Sequence, residues 1–321
     1  MSVSKSIFLG SVSLFLIIGC AAFIKKNRNS RSLEMAPPVS TESVNVESIE
    51  GEKYDEFLKP VKDKLAEHDQ DVMWRLFTTG KQKLPIVETI RYKARVDWLK
   101  NRPAWISDYA SHYSTSRHFI ARSLNKKKDY YTQKINQNDQ FNILKEKISF
   151  YIVVDLSRCK MWLYALDDLQ KTHILLKTYK VGLGRYNSES FSGVLTPRGK
   201  FTLGDKVAVY APGNMGYFQD NQIEMVTVFG SRWIPFDKDL GNEGDNPKGY
   251  GFHGAPWLFD PDSKLYTEDC STVGGYESDG CIRLMQDDIE ELYAIVITKP
   301  TVVEIVSDYH DANIPGAGTE P

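Results

Sequence analysis

A chain of 321 residues with 41% hydrophobic and 26% charged side chains has room for one large or two modest packed domains and carries no bias toward disorder. Its formal net charge of −2 excludes a general polyanion-binding role, so no nucleic-acid partner is expected. The four cysteines, Cys20, Cys159, Cys270 and Cys281, are too few and too widely spaced for a zinc site or a disulfide framework.

Residues Ser6 to Ile24 run uncharged for about one bilayer thickness, with Lys5 before them and Lys25, Lys26 and Arg28 after. The run ends Ile17-Ile18-Gly19-Cys20, which resembles the lipobox of bacterial lipoproteins. Residues 1–26 are therefore expected to be a lipidated signal peptide or an uncleaved signal anchor. The basic cluster counts against an exported anchor, because it favours the cytoplasmic side, and it also makes translocation of a lipoprotein less comfortable. Either reading leaves the protein at a membrane surface. Residues 27–51, with Pro37-Pro38 and many Ser, Thr, Glu and Asn, have little to bury and are expected to form a flexible tether.

A helical accessory region is expected over residues 52–146. Leu58, Val61, Leu65, Val72 and Leu76 recur at helical spacing, Pro85 would open a second helix with Val87, Ile90, Ala94 and Trp98 on one face, and Pro103 a third with Trp105, Ile106, Tyr109 and Tyr113. The aromatic stripe reads as core rather than as a ligand surface. His68, His112 and His118 read as surface residues, and Lys126-Lys127-Lys128 as a solvated face.

After Ile135 the period drops to two. Phe150 to Val154, Lys160 to Ala165 and Ile174 to Val181 read as strands, followed by Lys200 to Leu203 after the turn Thr196-Pro197-Arg198-Gly199. Gly182-Leu183-Gly184-Arg185 is rejected as a phosphate loop, since no helix pattern follows it. Arg232 to Phe236 gives a short strand beside a cleft. Asp287 to Ile297 places Ile289, Leu292, Tyr293 and Val296 on one helical face, Thr301 to Ser307 forms a last strand, and residues 309–321 read as a disordered tail.

Chemistry concentrates between Tyr250 and Leu284, in G-Y-G-F-H-G-A-P-W and S-D-G-C-I-R-L. A thiol is a good nucleophile only as a thiolate, so it needs a base, a turn that presents the sulfur, and backbone N–H groups for the oxyanion. His253, Gly280 and the N–H groups around Cys281 supply that set.

The order I-V-V-D-L-S-R-C-K-M-W-L-Y, V-G-L-G, T-P-R-G-K-F, F-H-G-A-P-W and S-D-G-C-I-R-L, then a helix and a valine-rich strand, resembles the catalytic domain of the bacterial L,D-transpeptidases, the YkuD-like domain. The resemblance covers residues 147–308. It implies a mostly β catalytic domain, an L,D-transpeptidase-like β-sandwich with one helix after the nucleophile, preceded by the α-helical N-terminal region. It implies Cys281 as nucleophile, His253 as general base, and Gly254 as the residue whose carbonyl orients the imidazole. Ser278, Asp279, Gly280 and Arg283 would form the oxyanion and substrate-binding shell. No metal and no organic cofactor is implied.

Peptidoglycan stem peptides are the implied substrate, on the periplasmic or outer-surface side of the membrane. A carbapenem is the implied inhibitor, and proteins of the cell wall are conceivable partners. Carboxypeptidase or cross-link hydrolase activity, or a non-catalytic wall-binding role, remain as alternatives. Two departures stand out. Asp279 occupies a position where many members have histidine, and an acid there opposes thiolate formation. The interval from His253 to Cys281 is also long for the family, and the extra length around Asp260 to Tyr276 would rim the cleft with Trp257, Phe259, Tyr266 and Tyr276. A location outside the cytoplasm would permit a Cys159–Cys270 disulfide, although nothing in the sequence brings the two together.

Overall fold

The computed structural model describes residues 69–127, 132–167, 172–190, 192–241 and 247–315. The expected signal segment, the tether, the first part of the first helix and His68 lie outside these residues. No helix among the described residues is long and apolar enough to cross a membrane.

The described chain begins with a single 3-10 turn at Met73–Arg75, held by the Asp71 carboxylate, which accepts the N–H of Met73 at 3.0 Å. The second expected helix is a strand instead. Val87–Arg91 (β1) pairs antiparallel with Gln140–Leu144 (β2). Val87, Thr89 and Ile90 are β-branched, which stiffens χ1 and favours the pleated backbone, and this outweighs a three- and four-residue spacing that arose by coincidence. The third helix forms as expected at Ile106–His112 (α1), with the Asp108 carboxylate closing back onto the N–H of Trp105 at 2.8 Å. Arg117–Asn125 (α2) follows, its start fixed by Ser116, whose hydroxyl accepts the N–H of Phe119 at 3.0 Å.

This region has its own small core of Tyr92, Ala104, Tyr109, Ile120, Phe141 and Ile143. It is not separate from the rest, since Met73, Leu76, Ile86, Phe119 and Leu144 belong to the main core. Asn142 of β2 ties the pieces together. Fully buried, its side-chain NH2 donates to the carbonyls of Leu76 and Thr78 at 2.8 Å each, and its oxygen accepts from the Thr89 hydroxyl at 2.8 Å. Asn142→Ala leaves these buried groups unpaired, so a loss of about 2–4 kcal/mol is expected. It should be read as a lower urea midpoint at unchanged slope.

The remainder of the described chain is built on one nine-stranded sheet. Its strands are Ile148–Asp155 (β3), Lys160–Asp167 (β4), Thr172–Lys180 (β5), Gly199–Leu203 (β7), Arg232–Asp239 (β11), Gly251–Gly254 (β12), Ile282–Leu284 (β16) and Thr301–Val306 (β17), in the order β16-β12-β11-β7-β17-β3-β4-β5, with Ala208–Val209 (β8) paired to β11. Leu183–Gly184 (β6) pairs in parallel with Tyr276–Ser278 (β15), and Trp257–Asp260 (β13) with Leu265–Glu268 (β14) makes a hairpin. Met215–Phe218 (β9) and Asn221–Glu224 (β10) form a two-stranded ribbon, followed by the short helix Val226–Phe229 (α3).

β3 and β17 lie side by side in parallel at the middle of the sheet and are apolar almost throughout, as strands covered on both faces must be. One face carries the main core, into which the helix Gln286–Val296 (α4) inserts Ile289, Leu292, Ile295 and Val296. On the other face Tyr151, Val153, Trp162, Tyr164 and Val306 pack against Tyr309, Ala312 and Ile314. Residues 309–314 are therefore not a loose tail. Tyr309 meets Trp162 at 4.5 Å between centroids and shares a 2.6 Å hydrogen bond with the Tyr164 hydroxyl, while Glu304 accepts the N–H of Asn313 at 2.9 Å. The aromatic and apolar residues in that segment give it surface to bury, which its Pro and Gly content concealed. The mostly β architecture with one helix after the cysteine turn is the one the sequence leads to.

Candidate active site

β12 and β16 run parallel at one edge of the sheet, with Phe252 opposite Ile282, His253 opposite Arg283 and Gly254 opposite Leu284. Side chains alternate along a strand, so His253 and Arg283 share a face. Cys281, immediately before β16, stands beside Gly251. Extending that register by one residue would set Cys281 diagonal to His253 across the two strands, and Gly251 could carry no side chain, since a Cβ there would lie 2.3 Å from the carbonyl of Ile234.

The imidazole is buried, 3% exposed, among Phe229 and Trp233, whose ring centroids lie 5.3 and 6.2 Å away. Its Nδ1 is 2.7 Å from the carbonyl of Gly254. A carbonyl only accepts, so Nδ1 carries the proton and Nε2 is the free lone pair. Burial first, and the Arg283 charge second, lower its pKa to about 3, against a small opposing effect of the Gly254 bond. The ring is neutral at any ordinary pH.

Gly280 has φ +114°, and a Cβ there would lie 2.3 Å from the Tyr250 ring and 2.7 Å from the carbonyl of Leu195. No side chain fits that conformation or that space. Ser278 is buried, donates to the carbonyl of Cys281 at 2.6 Å and accepts the N–H of Gly280 at 3.1 Å. This changes two expectations. Ser278 holds the turn, and its one hydroxyl proton is committed to the Cys281 carbonyl and so is not available to donate to a substrate. The Gly280 N–H is engaged too, which leaves the N–H groups of Asp279 and Cys281 as the candidate donors of this turn for an oxyanion.

Cys281 is partly exposed, and its thiol contacts the carbonyl of Gly249 at 3.7 Å. Burial of the sulfur pushes its pKa up to about 12, the Asp279 charge adds to this, and a backbone hydrogen bond from Gly251 and the Arg283 charge oppose it. Asp279 itself lies on the surface, paired with Arg185 at 2.5 Å. Arg283 is partly buried, and its Nε is among the buried nitrogens without a hydrogen-bond partner among the described residues. Burial lowers its pKa, against the attraction of Cys281, Asp279, Glu277 and Asp269.

Trp257 lies on the β13–β14 hairpin, next to Tyr266 at 6.3 Å, with its indole N–H buried and unpartnered among the described residues. The hairpin also exposes Leu258, Phe259 and Leu265. It is anchored by Glu268, whose carboxylate accepts the N–H of Gln286 at the start of α4. Tyr276 faces inward, donating to the carbonyl of Leu156 at 2.6 Å, and so takes no part in the rim. Cys159 is buried, Cys270 is exposed, and both are free thiols. His118, expected at the surface, is buried against Tyr293 of α4, with ring centroids 5.1 Å apart. No cluster of three or more metal-ligating side chains occurs among the described residues.

Sequence reasoning missed Phe229, Trp233, Tyr250 and Arg185. The first three lie far from the motifs along the chain, or beside them with no chemistry of their own. Arg185 could have been found from its position directly after V-G-L-G, had that stretch been placed against the cysteine turn.

No curated protein matches the chain. Among solved structures it is similar to the helical cell shape determining protein Pgp2 from Campylobacter jejuni, with 18% identity over 51% of this chain and 49% of that one, and a TM-score of 0.33. It is also similar to Bd1075 of Bdellovibrio bacteriovorus, with 17% identity over 50% and 48% of the two chains and a TM-score of 0.33. The chain spans about half the length of these structures. Residues 149–305 match the model of the L,D-transpeptidase catalytic domain, YkuD, which assigns this segment to that domain family.

Proposed function

We propose that this chain is a cysteine acyltransferase that acts on peptidoglycan stem peptides, outside the cytoplasmic membrane and held there by its N-terminal segment. The observation that supports it is the parallel pairing of β12 with β16, in which His253 stands opposite Arg283, two residues after Cys281, with Nδ1 held at the Gly254 carbonyl.

In this reading Sγ attacks the carbonyl carbon of the amide between the L-centre of the third-position diamino acid and the D-alanine that follows. The thiol proton passes to Nε2, the carbonyl π electrons move to oxygen, and the oxyanion is held by the N–H groups of Asp279 and Cys281. Collapse expels the D-alanine amine, which takes the proton from the imidazolium, and leaves a thioester. An amine of a second stem then attacks the thioester, with Nε2 accepting its proton, and forms a cross-link. Water in the same place gives carboxypeptidase activity.

With the thiol near pKa 12 and the imidazole near 3, the resting pair is neutral. Proton transfer therefore accompanies attack instead of preceding it. Gly254 fixes the tautomer, the task a carboxylate performs in a serine triad. Arg283, with an unpartnered Nε beside the histidine, is placed to meet a carbonyl or carboxylate of the stem, and Trp257 to line the rim.

Incubation with a carbapenem is expected to add the drug's mass at Cys281, and Cys281→Ala to abolish the adduct. An unmodified wild-type protein would favour the wall-binding role instead. A disaccharide tetrapeptide substrate then separates the chemistries. Dimer with loss of D-alanine means transpeptidation, tripeptide alone means carboxypeptidation, and unchanged substrate refutes both.

A further inference from the structure

The stretch Val181-Gly182-Leu183-Gly184-Arg185 ends a strand in the sequence and carries no role there. In the fold it is the template for the cysteine turn. Gly182 and Arg283 exchange both backbone hydrogen bonds at 2.8 Å, β6 runs in parallel along β15, and the N–H of Arg185 donates to the carbonyl of Ser278 at 2.9 Å. The approach is so close that a Cβ on Gly184 would lie 2.9 Å from the Cα of Gly280. Arg185 thus leaves the strand directly beside the turn, and its guanidinium reaches Asp279, with both side chains 60% exposed.

An ion pair this exposed adds little to stability. Its consequence lies in where it holds the carboxylate. Asp279 stands two residues before Cys281, the spacing at which an aspartate oxygen readily accepts the N–H of residue i+2 and closes an Asx turn. That N–H is one of the candidate oxyanion donors left at the turn. Of the other charged groups around the sulfur, Arg283 on β16 favours the thiolate, and His253 on β12 is neutral. Glu277 on β15 and Asp269 before the Cys270–Thr272 turn act on Arg283. The Tyr250 ring closes the side against Gly280. Asp279 is the acid whose position bears on both the donor and the sulfur.

We propose that Arg185 is a positioning residue for Cys281: it ties the Asp279 carboxylate out at the rim and so keeps it from closing on the Cys281 N–H and the sulfur. The proposal rests on Cys281 being the nucleophile. Its test does not, because alkylation by iodoacetamide needs only an accessible thiol. The rate is followed at the Cys281 peptide by mass spectrometry across pH, with the exposed Cys270 as internal reference.

In Arg185→Gln the Cys281 profile is expected to move up by about half a pH unit or more, a roughly threefold slowing at fixed pH below the midpoint. Cys270 should be unchanged, and Arg185→Lys should restore most of the rate. In the double variant Arg185→Gln with Asp279→Asn the slowing should vanish, which a merely structural role for Arg185 would not produce. A profile for Arg185→Gln that overlays the wild type, or a double variant as slow as Arg185→Gln, overturns the proposal. An intact shift in a protein that forms no carbapenem adduct would count against acyl transfer and leave the Arg185 tether standing.

Discussion

His253→Gln is expected to lower kcat/KM for acyl transfer by about 10³-fold, or roughly 4 kcal/mol of transition-state stabilisation, with Cys281 still present and the fold intact. The size follows from the resting state. The sulfur is held as a thiol by burial, and Arg283 and the Gly251 N–H only partly offset this, so at neutral pH almost none of it is ionised without a base in reach. Removing the imidazole leaves hydroxide or bulk water to take the proton, and the residual rate should then rise steadily with pH as the thiol ionises. The wild-type protein should behave differently on the acid side. Because the free-enzyme imidazole titrates near 3, the acid limb of kcat/KM should lie below about pH 5, well under the range of an ordinary histidine. Single-turnover acylation measured from pH 4.5 to 9 reads both effects. An acid limb near 6.5, or a variant within tenfold of the wild type, would remove His253 from the role of base.

The candidate site can be read in the sequence to the extent that it is local. Gly280, Cys281 and Arg283 stand within four residues of one another, and His253 with Gly254 forms a second short unit. In both the chemistry needed at a position is written at that position. What the sequence did not show depends on which strands become neighbours. The parallel pairing of β12 with β16, the buttressing by β6 and the aromatic walls of Phe229 and Trp233 are set by long-range packing, and no period or spacing records them. Engagement of the Gly280 N–H by Ser278 was hidden for a different reason. The motif fixes residue types, and the direction of a hydroxyl is settled only once the turn has closed. The same division runs through the fold. Strands β3 to β5 and helix α4 announce themselves by their apolar pattern. In β1 the helical spacing of Val87 and Ile90 competed with their β-branching, and pairing with β2 decided the outcome.

Stability should fall steeply as the pH drops below about 6.5, by roughly 2 kcal/mol per buried histidine at pH 5, because two imidazoles are held neutral in the fold. His253 and His118 both have pKa values lowered to about 3, in each case mainly by burial, with Arg283 adding to the first and Arg232, Arg117 and Arg122 to the second. The sign is fixed by proton counting. Between about pH 3 and 6.5 the unfolded chain protonates these rings and the folded chain does not, so unfolding takes up protons and acid favours it. The contribution is fully present above 6.5 and is lost as pH falls toward 3. Asp155 and Glu291, whose pKa values burial raises, act in the opposite direction, but only where carboxylates titrate. Histidine therefore governs the window from about pH 5.5 to 6.5. Against a total stability on the order of 5–15 kcal/mol, two such groups bring the protein close to acid unfolding. Urea midpoints at pH 7.5, 6.5 and 5.5 should decline with a slope approaching two protons, and His118→Gln should remove about half of it while leaving the cysteine site unaltered. Midpoints that stay level across this range would mean that neither ring is sealed from water, and the base proposed for catalysis would then titrate like any exposed histidine.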